Sequence, residues 1–415
     1  MLFIYRIFVN LIFFLSPFII AYRILKKKEH LIRFKEKLSF YQKKRVEGKL
    51  IWLHGSSVGE ILSAIPLIEK LEKKKTIKQI LLTSNTLSSS KVIEKLRLKK
   101  TIHQFFPLDV NFVTKKFLSY WKPSLAIFLE SEIWPNMILN IKNNKIPLIL
   151  LNARITKKSF KNWKKIINFS KFIFKKFDLS LVQNDETKNY LKTLGAKNIK
   201  KIGNLKFSQR NIKTSDKINK NQRIFFNSKK IFFCAASTHP TEEIFCAKIY
   251  KKLLKNFNQG IIVIIPRHIN RSENIKNKLE EMNFIVHQHS SKSRIKKNTN
   301  IYLVDTYGET ESFLKLSKVV FLGGSLIPHG GQNPLEAARL GCKILHGSNI
   351  SNFIEVYSLL RKNNISQKIE SVSEAKKMII KSLKSKSNKK IEKKLKIIGN
   401  EILKKNEKEL QKYFK

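Results

Sequence analysis

Cysteine is nearly missing from this chain of 415 residues. Cys234, Cys246 and Cys342 form no C-x-x-C and no even set. That excludes a disulfide scaffold and a zinc ribbon, and it fits a reducing compartment. With 14 glycines and 10 prolines the chain is neither collagen-like nor loop-dominated. There is no G-x-G-x-x-G, no G-x-x-x-x-G-K-[ST], no H-E-x-x-H and no paired His/Cys ligand set. A dinucleotide dehydrogenase, a P-loop NTPase and metal catalysis therefore lose support. Acidic residues are also scarce: 30 Asp+Glu stand against 83 Lys+Arg, a formal net charge of +53.

What is present is ordinary globular material. Hydrophobic residues make up 42%, which excludes wholesale disorder despite the charge. At roughly 100–200 residues per domain the length suggests two or three domains. The charge itself has two readings, because lysine is spread almost everywhere and often sits beside Asn and Ile. One is a solvated Lys-rich surface; the other is attraction toward an anionic membrane, where each basic residue contributes about 1 kcal/mol.

The first 22 residues are apolar apart from Arg6, Asn10 and Pro17, and Arg23 and Lys26 to Lys28 follow at once. A spanning helix needs about 20 apolar residues, so residues 1–28 read as a membrane anchor or interfacial helix. A helix buried within the protein is the alternative. No small-residue cleavage site follows the run, which argues against a signal peptide. The basic cluster puts the rest of the chain on the cytoplasmic side.

Beyond it, short apolar runs alternate with helical spacing. Ile51–His54, Ile80–Thr83, Leu125–Leu129, Ile146–Leu151 and Leu179–Gln183 read as buried strands, and Ile61–Leu71 reads as a helix. Residues 208–230 are polar and without clear periodicity, so they read as a linker. A second block follows with strands at Ile231–Ala236, Ile261–Ile265, Phe284–Val286, Ile301–Val304, Val319–Leu322 and Lys343–Leu345. Such alternation means parallel sheets covered on both faces. The expected division is therefore an N-terminal α/β domain at 29–207, a linker at 208–230, a C-terminal α/β domain at 231–370 and Lys-rich helices at 371–415.

Candidate chemistry sits just past the expected strands. In IWLHGSSVGE, Glu60 opens a helix; it is either a first-turn residue favoured by the helix dipole or a general base. In FLESEIWPNM, Glu130 ends an apolar strand and Glu132 follows, with Pro135 suited to the first turn of a helix. Asn152–Arg154 closes the next strand. Pro266, Arg267 and His268 end another, where a guanidinium suits a phosphate or carboxylate. Between Gly308 and Gly347 lie seven of the 14 glycines. There Gly323, Gly324, Gly330 and Gly331 would free backbone amides for an anion before a helix opening near Asn333–Pro334. Glu336, in its first turn, would accept hydrogen bonds from ribose hydroxyls.

Taken in order, WLHGSSVGE, LESEIWPN, LLNAR, LVQNDET with LGA, GNLKF, STHPTEE, PRHINR, DTYGE and FLGGSLIPHGGQNPLEAA resemble the 3-deoxy-D-manno-octulosonic acid (Kdo) transferases of lipopolysaccharide assembly. The resemblance runs from the N-terminal anchor to about Phe353 and weakens over the Lys-rich tail. It implies a metal-independent, inverting glycosyltransferase of the GT-B type, with two Rossmann-like domains facing across a cleft and no cofactor. It implies CMP-Kdo as donor, a lipid A precursor as acceptor, and action at the cytoplasmic face of the inner membrane against anionic lipid, with no nucleic acid partner. By the same resemblance Glu60 is the general base, and Glu130 with Lys206 stabilises the transition state. Pro266, Arg267, Gly308, Glu309, Asn333 and Glu336 hold the cytidine nucleotide. Tyr307 stands where the family more usually has methionine. Two rival readings are a GT-B enzyme with another donor, such as a UDP-hexose, and a non-catalytic basic protein that binds membrane or RNA.

Overall fold

The computed structural model describes residues 1–96, 98–209, 218–257, 259–384 and 388–414. The chain divides into two compact units, Met1–Arg210 with Ile398–Lys415, and Asn211–Ile397.

The first unit is built on seven strands: β1 Lys49–His54, β2 Ile77–Ser84, β3 Thr101–Phe105, β4 Leu125–Leu129, β5 Leu148–Ala153, β6 Leu179–Val182 and β7 Ile199–Lys201. They lie in the order β3-β2-β1-β4-β5-β6-β7 with every pairing parallel. The central strands are apolar throughout because helices cover both faces. Trp52 on β1 packs among Phe106, Phe117 and Phe128 in the core. The helix Val58–Glu72 follows β1 and buries Ile61, Ala64, Ile65, Ile68 and Leu71, the stripe expected from their spacing.

The second unit repeats the plan with β8 Ile231–Thr238, β9 Ile261–Pro266, β10 Val286–Gln288, β11 Ile301–Leu303, β12 Val319–Leu322, β13 Lys343–His346 and β14 Ser366–Lys368. Their order is β10-β11-β9-β8-β12-β13-β14, again all parallel. Phe232, Phe233 and Tyr250 are among its fully buried rings. Each sheet has a point where the chain reverses the direction in which it adds strands, β1/β4 in the first and β8/β12 in the second. Ligands bind open α/β sheets beyond the carboxyl ends of the strands at such a point.

Three expectations need correction. The stretch 208–230 is not all linker, since Lys220–Ser228 is a helix closed by an Asn219/Gln222 capping box, with Phe225 and Phe226 buried; residues 210–217 lie outside the described residues. β5 starts at Leu148 rather than Ile146 and runs on to Ala153 through Asn152, which adopts a left-handed φ of 55°. The third expected strand of the second half is shifted two residues, to Val286–Gln288. The sequence also hid β3, β7 and β14. All three are edge strands, and Ile199–Lys201 and Ser366–Lys368 are short and polar. The tail forms helices Val372–Lys384 and Asn388–Leu410, and residues from Ile398 onward group with the first unit rather than standing apart.

Candidate active site

Glu60 lies beyond the carboxyl end of β1, in the first turn of the helix Val58–Glu72. The turn before it is tight: a Cβ on Gly55 would sit 2.8 Å from Leu129 Cδ1 and 3.3 Å from Glu60 Cβ, so a larger residue there would have to displace the Leu129 side chain and crowd Glu60. Ser57 caps the helix, its Oγ accepting from Glu60 N. Both carboxylate oxygens are held in return, Oε2 by Ser56 N–H at 2.7 Å and Oε1 by the Ser57 hydroxyl at 2.8 Å. Burial pushes the Glu60 carboxyl above the ordinary carboxylate range. The negative charges of Glu130 and Glu132 add to the rise, against the bonds from Ser57 and Ser56, which lower it.

Glu130 ends β4 with φ at 51°, and Asn152 near the end of neighbouring β5 has φ at 55°. Left-handed backbone at non-glycine residues costs on the order of 1–3 kcal/mol and collects at functional sites. Here it brings three elements together. Asn152 Oδ1 accepts from Leu205 N at 2.9 Å, fixing the turn Leu205–Phe207. Lys206 on that turn places Nζ 2.7 Å from Glu130 Oε1. The structure therefore gathers Glu60, Glu130 and Lys206 at the reversal point of the first sheet.

His54 joins this group although its motif suggested only a strand residue. It is fully buried at the end of β1, in register with Thr83 and Phe128. Its Nδ1 lies 3.0 Å from Thr83 Oγ1 and its Nε2 3.0 Å from Glu132 Oε2. Trp52 Nε1 donates to Thr83 Oγ1, and Trp134 Nε1 donates to Glu132 Oε2 at 2.8 Å. Every group is satisfied when the Thr83 hydroxyl donates to Nδ1 and Nε2–H donates to the carboxylate. The chain of bonds fixes Glu132, and through it the electrostatics of Glu60.

In the second unit the glycine-rich loop overturns one expectation. The amides after β12 do not wait for an anion. Glu242, in the first turn of the helix Glu242–Leu254 and fully buried, accepts from Gly324 N (2.7 Å), Ser325 N (3.1 Å), Leu326 N (3.0 Å) and His239 N (2.9 Å). The protein supplies its own carboxylate to that nest. Gly323 is required by the same packing, since a Cβ there would sit 2.2 Å from Ser237 O.

Cationic and imidazole groups remain around this loop. His239 packs against His329 with ring centroids 4.2 Å apart and against His268 at 6.0 Å. Burial, then the charges of His329, His268, Arg271 and Arg267, lower its pKa to about 4. Arg267 is exposed just past β9, its N–H bonded to Thr238 O, and Pro266 ends that strand. The remaining nucleotide candidates are scattered over the loops of this unit. Gly308 has φ at 82°. Glu309 is paired with His289 and accepts from Thr306 Oγ1. Asn333 Oδ1 accepts from Leu335 N. Glu336 opens the short helix Leu335–Arg339, and its carboxyl is raised by desolvation and by Glu311, against Arg339.

Comparison with known proteins follows the same lines. The sequence profile of the 3-deoxy-D-manno-octulosonic-acid transferase (kdotransferase) family matches residues 32–209. The 3-deoxy-D-manno-octulosonic acid transferase of Rickettsia bellii is 33% identical over 355 residues, covering 85% of this chain and 84% of that one. The chain belongs to the 3-deoxy-D-manno-octulosonic acid transferase family. Another relative in the family, from Rickettsia typhi, is 34% identical over 322 residues, 77% of this chain and 69% of its own. The chain is therefore a glycosyltransferase of the Kdo-transferring kind. Its fold is shared more widely: a UDP-N-acetylglucosamine 2-epimerase superposes with a TM-score of 0.59 at 15% identity, over 89% of this chain and 97% of that one. That likeness concerns the two Rossmann-like domains alone.

Proposed function

We propose that the chain moves Kdo from CMP-Kdo to a hydroxyl of a lipid A precursor with inversion, Glu60 acting as the general base. The observation that carries this reading is the carboxyl of Glu60, half-buried, raised above its ordinary pKa and placed beside the Glu130–Lys206 pair. In the step, the acceptor hydroxyl oxygen bonds to the anomeric carbon while the bond from that carbon to the CMP phosphate oxygen breaks. The proton passes to the Glu60 carboxylate, and CMP leaves with the bonding electrons. Each Glu60 oxygen accepts only one hydrogen bond from Ser56 or Ser57, which leaves a lone pair for the proton. Lys206 and Glu130 fix the charge balance around the reacting sugar. Pro266, Arg267, Gly308, Glu309, Asn333 and Glu336 hold the cytidine nucleotide, and no metal or other cofactor takes part. The helix Leu2–Leu25 attaches the enzyme to anionic lipid at the cytoplasmic face of the inner membrane, and the acceptor is met there.

A first test is the donor. Arg267→Ala weakens CMP binding by about tenfold or more, the loss of a charge-assisted hydrogen bond. Affinity unchanged in calorimetry takes Arg267 out of the donor site. A second test is pH. A raised base is lost to protonation as the pH falls, so the rate has an acid limb set by Glu60. Glu132→Gln removes a negative charge that raises Glu60, while its carbonyl still accepts from His54 and Trp134. The acid limb therefore moves to lower pH. A limb that stays in place would show that Glu132 does not act on the base.

A further inference from the structure

The helix Leu2–Leu25 is about 36 Å long at 1.5 Å per residue, enough to cross a hydrocarbon core of about 30 Å. Length alone does not decide whether it crosses; the pattern of shelter does. The positions withdrawn from solvent are Leu2, Tyr5, Arg6, Val9, Phe13, Ser16, Ile20, Arg23 and Ile24, spaced three and four apart from one end of the helix to the other. Three of them make contacts that identify what covers the stripe. Tyr5 Oη donates to Asp109 Oδ2 at 2.6 Å, Arg6 Nε donates to Asn136 Oδ1 at 3.0 Å, and Phe13 meets Phe112 edge-on at 5.1 Å. Asp109 in turn accepts from Asn136 N and Met137 N at the start of the helix Pro135–Asn143. A helix crossing a hydrocarbon core of about 30 Å puts about 20 of its residues into lipid, away from a domain that stays in water. This one is fastened to the domain by its first turns and sheltered along its whole length.

The opposite face is bare and strongly apolar. Phe3, Phe14, Phe18 and Leu25 are each more than 70% exposed. The surface continues onto Phe112 and Phe40, both exposed, with Lys116 Nζ 4.1 Å above the Phe40 ring. Lys26, Lys27 and Lys28 lie exposed at the helix end. The two carboxylates within residues 1–46, Glu29 and Glu36, are both buried and paired, with Arg23 and Lys37 and with Arg33. The exposed carboxylates next to this segment are Glu47, beyond Phe40 in the chain, and Glu94, which is paired with Arg33. An apolar strip followed by exposed lysines, with both acids of residues 1–40 buried, complements an anionic bilayer surface.

We propose that the helix Leu2–Leu25 does not span the membrane but lies flat along the first unit, docking it on an anionic bilayer through a face that runs from Phe3 to Leu25 and on to Phe40 and Phe112. This rests on the membrane attachment proposed above and specifies its geometry. The helix then sits within about 5–10 Å of the headgroup boundary along its whole length.

Phe3, Phe14 and Leu25 are eleven residues apart and so share one face. Each is replaced in turn by tryptophan in the full chain, bound to phosphatidylglycerol/phosphatidylethanolamine vesicles with bromines at shallow or deep positions. Quenching is read as the difference from the parent. Flat docking gives equal shallow quenching at all three sites and little deep quenching at any. Deep quenching at position 14 with shallow quenching at 3 and 25 overturns flat docking and leaves membrane attachment standing. Failure to float with anionic vesicles overturns both. Dimers that persist in the presence of vesicles would make the face a contact between two copies, and the proposal would fall.

Discussion

Glu60→Gln reduces Kdo transfer by about 10²–10⁴-fold, the range for removal of a positioned general base, while leaving the fold intact. The glutamine carbonyl still accepts from Ser56 N–H or the Ser57 hydroxyl, and Ser57 remains the helix cap through its own Oγ. The substitution therefore removes proton-accepting capacity and little else. Nucleotide affinity is carried by other residues and stays within about twofold. A steady-state assay of the purified variant with a calorimetric measurement of CMP binding separates these quantities. Turnover within about tenfold of the parent would mean that Glu60 is only a capped first-turn residue. Loss of both turnover and CMP binding would point to misfolding instead.

Glu242→Ala has the largest expected effect on stability. The buried carboxylate is the partner of four backbone N–H groups. Leaving each without an acceptor costs about 1–3 kcal/mol, so the sum is on the order of 4 kcal/mol or more against a domain stability of about 5–15 kcal/mol. Glu242→Gln costs less, since its oxygen still accepts while its NH₂ faces the remaining donors. Tryptophan fluorescence does not report this change, because Trp52, Trp121, Trp134 and Trp163 all lie in the first unit. Hydrogen exchange does: the amides of Gly324, Ser325 and Leu326 lose protection in the alanine variant and keep part of it in the glutamine variant. Protection unchanged in Glu242→Ala would refute the claim that this carboxylate holds the loop.

The difference between these two glutamates shows what the sequence revealed. Both stand in the first turn of a helix after a strand, and both follow small or hydroxyl residues. The expected strands β1, β4, β9 and β12 located the loops correctly because buried parallel strands are continuous apolar runs. Edge strands such as Ile199–Lys201 and Ser366–Lys368 lack that run and were invisible. Glycines after β12 signalled crowded backbone, but not what crowds it. Only the fold brings Glu242 to Gly324, 82 positions later in the chain, and fills the nest from within. His54 was missed for a related reason. A histidine at the end of an apolar strand looks like a core residue, and its reach to Glu132 depends on the register between β1 and β4. Glu130 was legible as a carboxylate ending an apolar strand, whereas Lys206 came from family resemblance alone. Their pairing depends on Asn152 bending the end of β5, and local sequence pattern does not encode a left-handed residue there.

The most direct test of the account is to incubate the full-length protein with CMP-Kdo and a tetra-acylated lipid A precursor and to weigh the lipid by mass spectrometry, with UDP-hexoses and CMP-sialic acid as competing donors. The account predicts acceptor heavier by whole Kdo residues, only with CMP-Kdo, and no such product from Glu60→Gln. An acceptor of unchanged mass, or one carrying a sugar from a different donor, would contradict it.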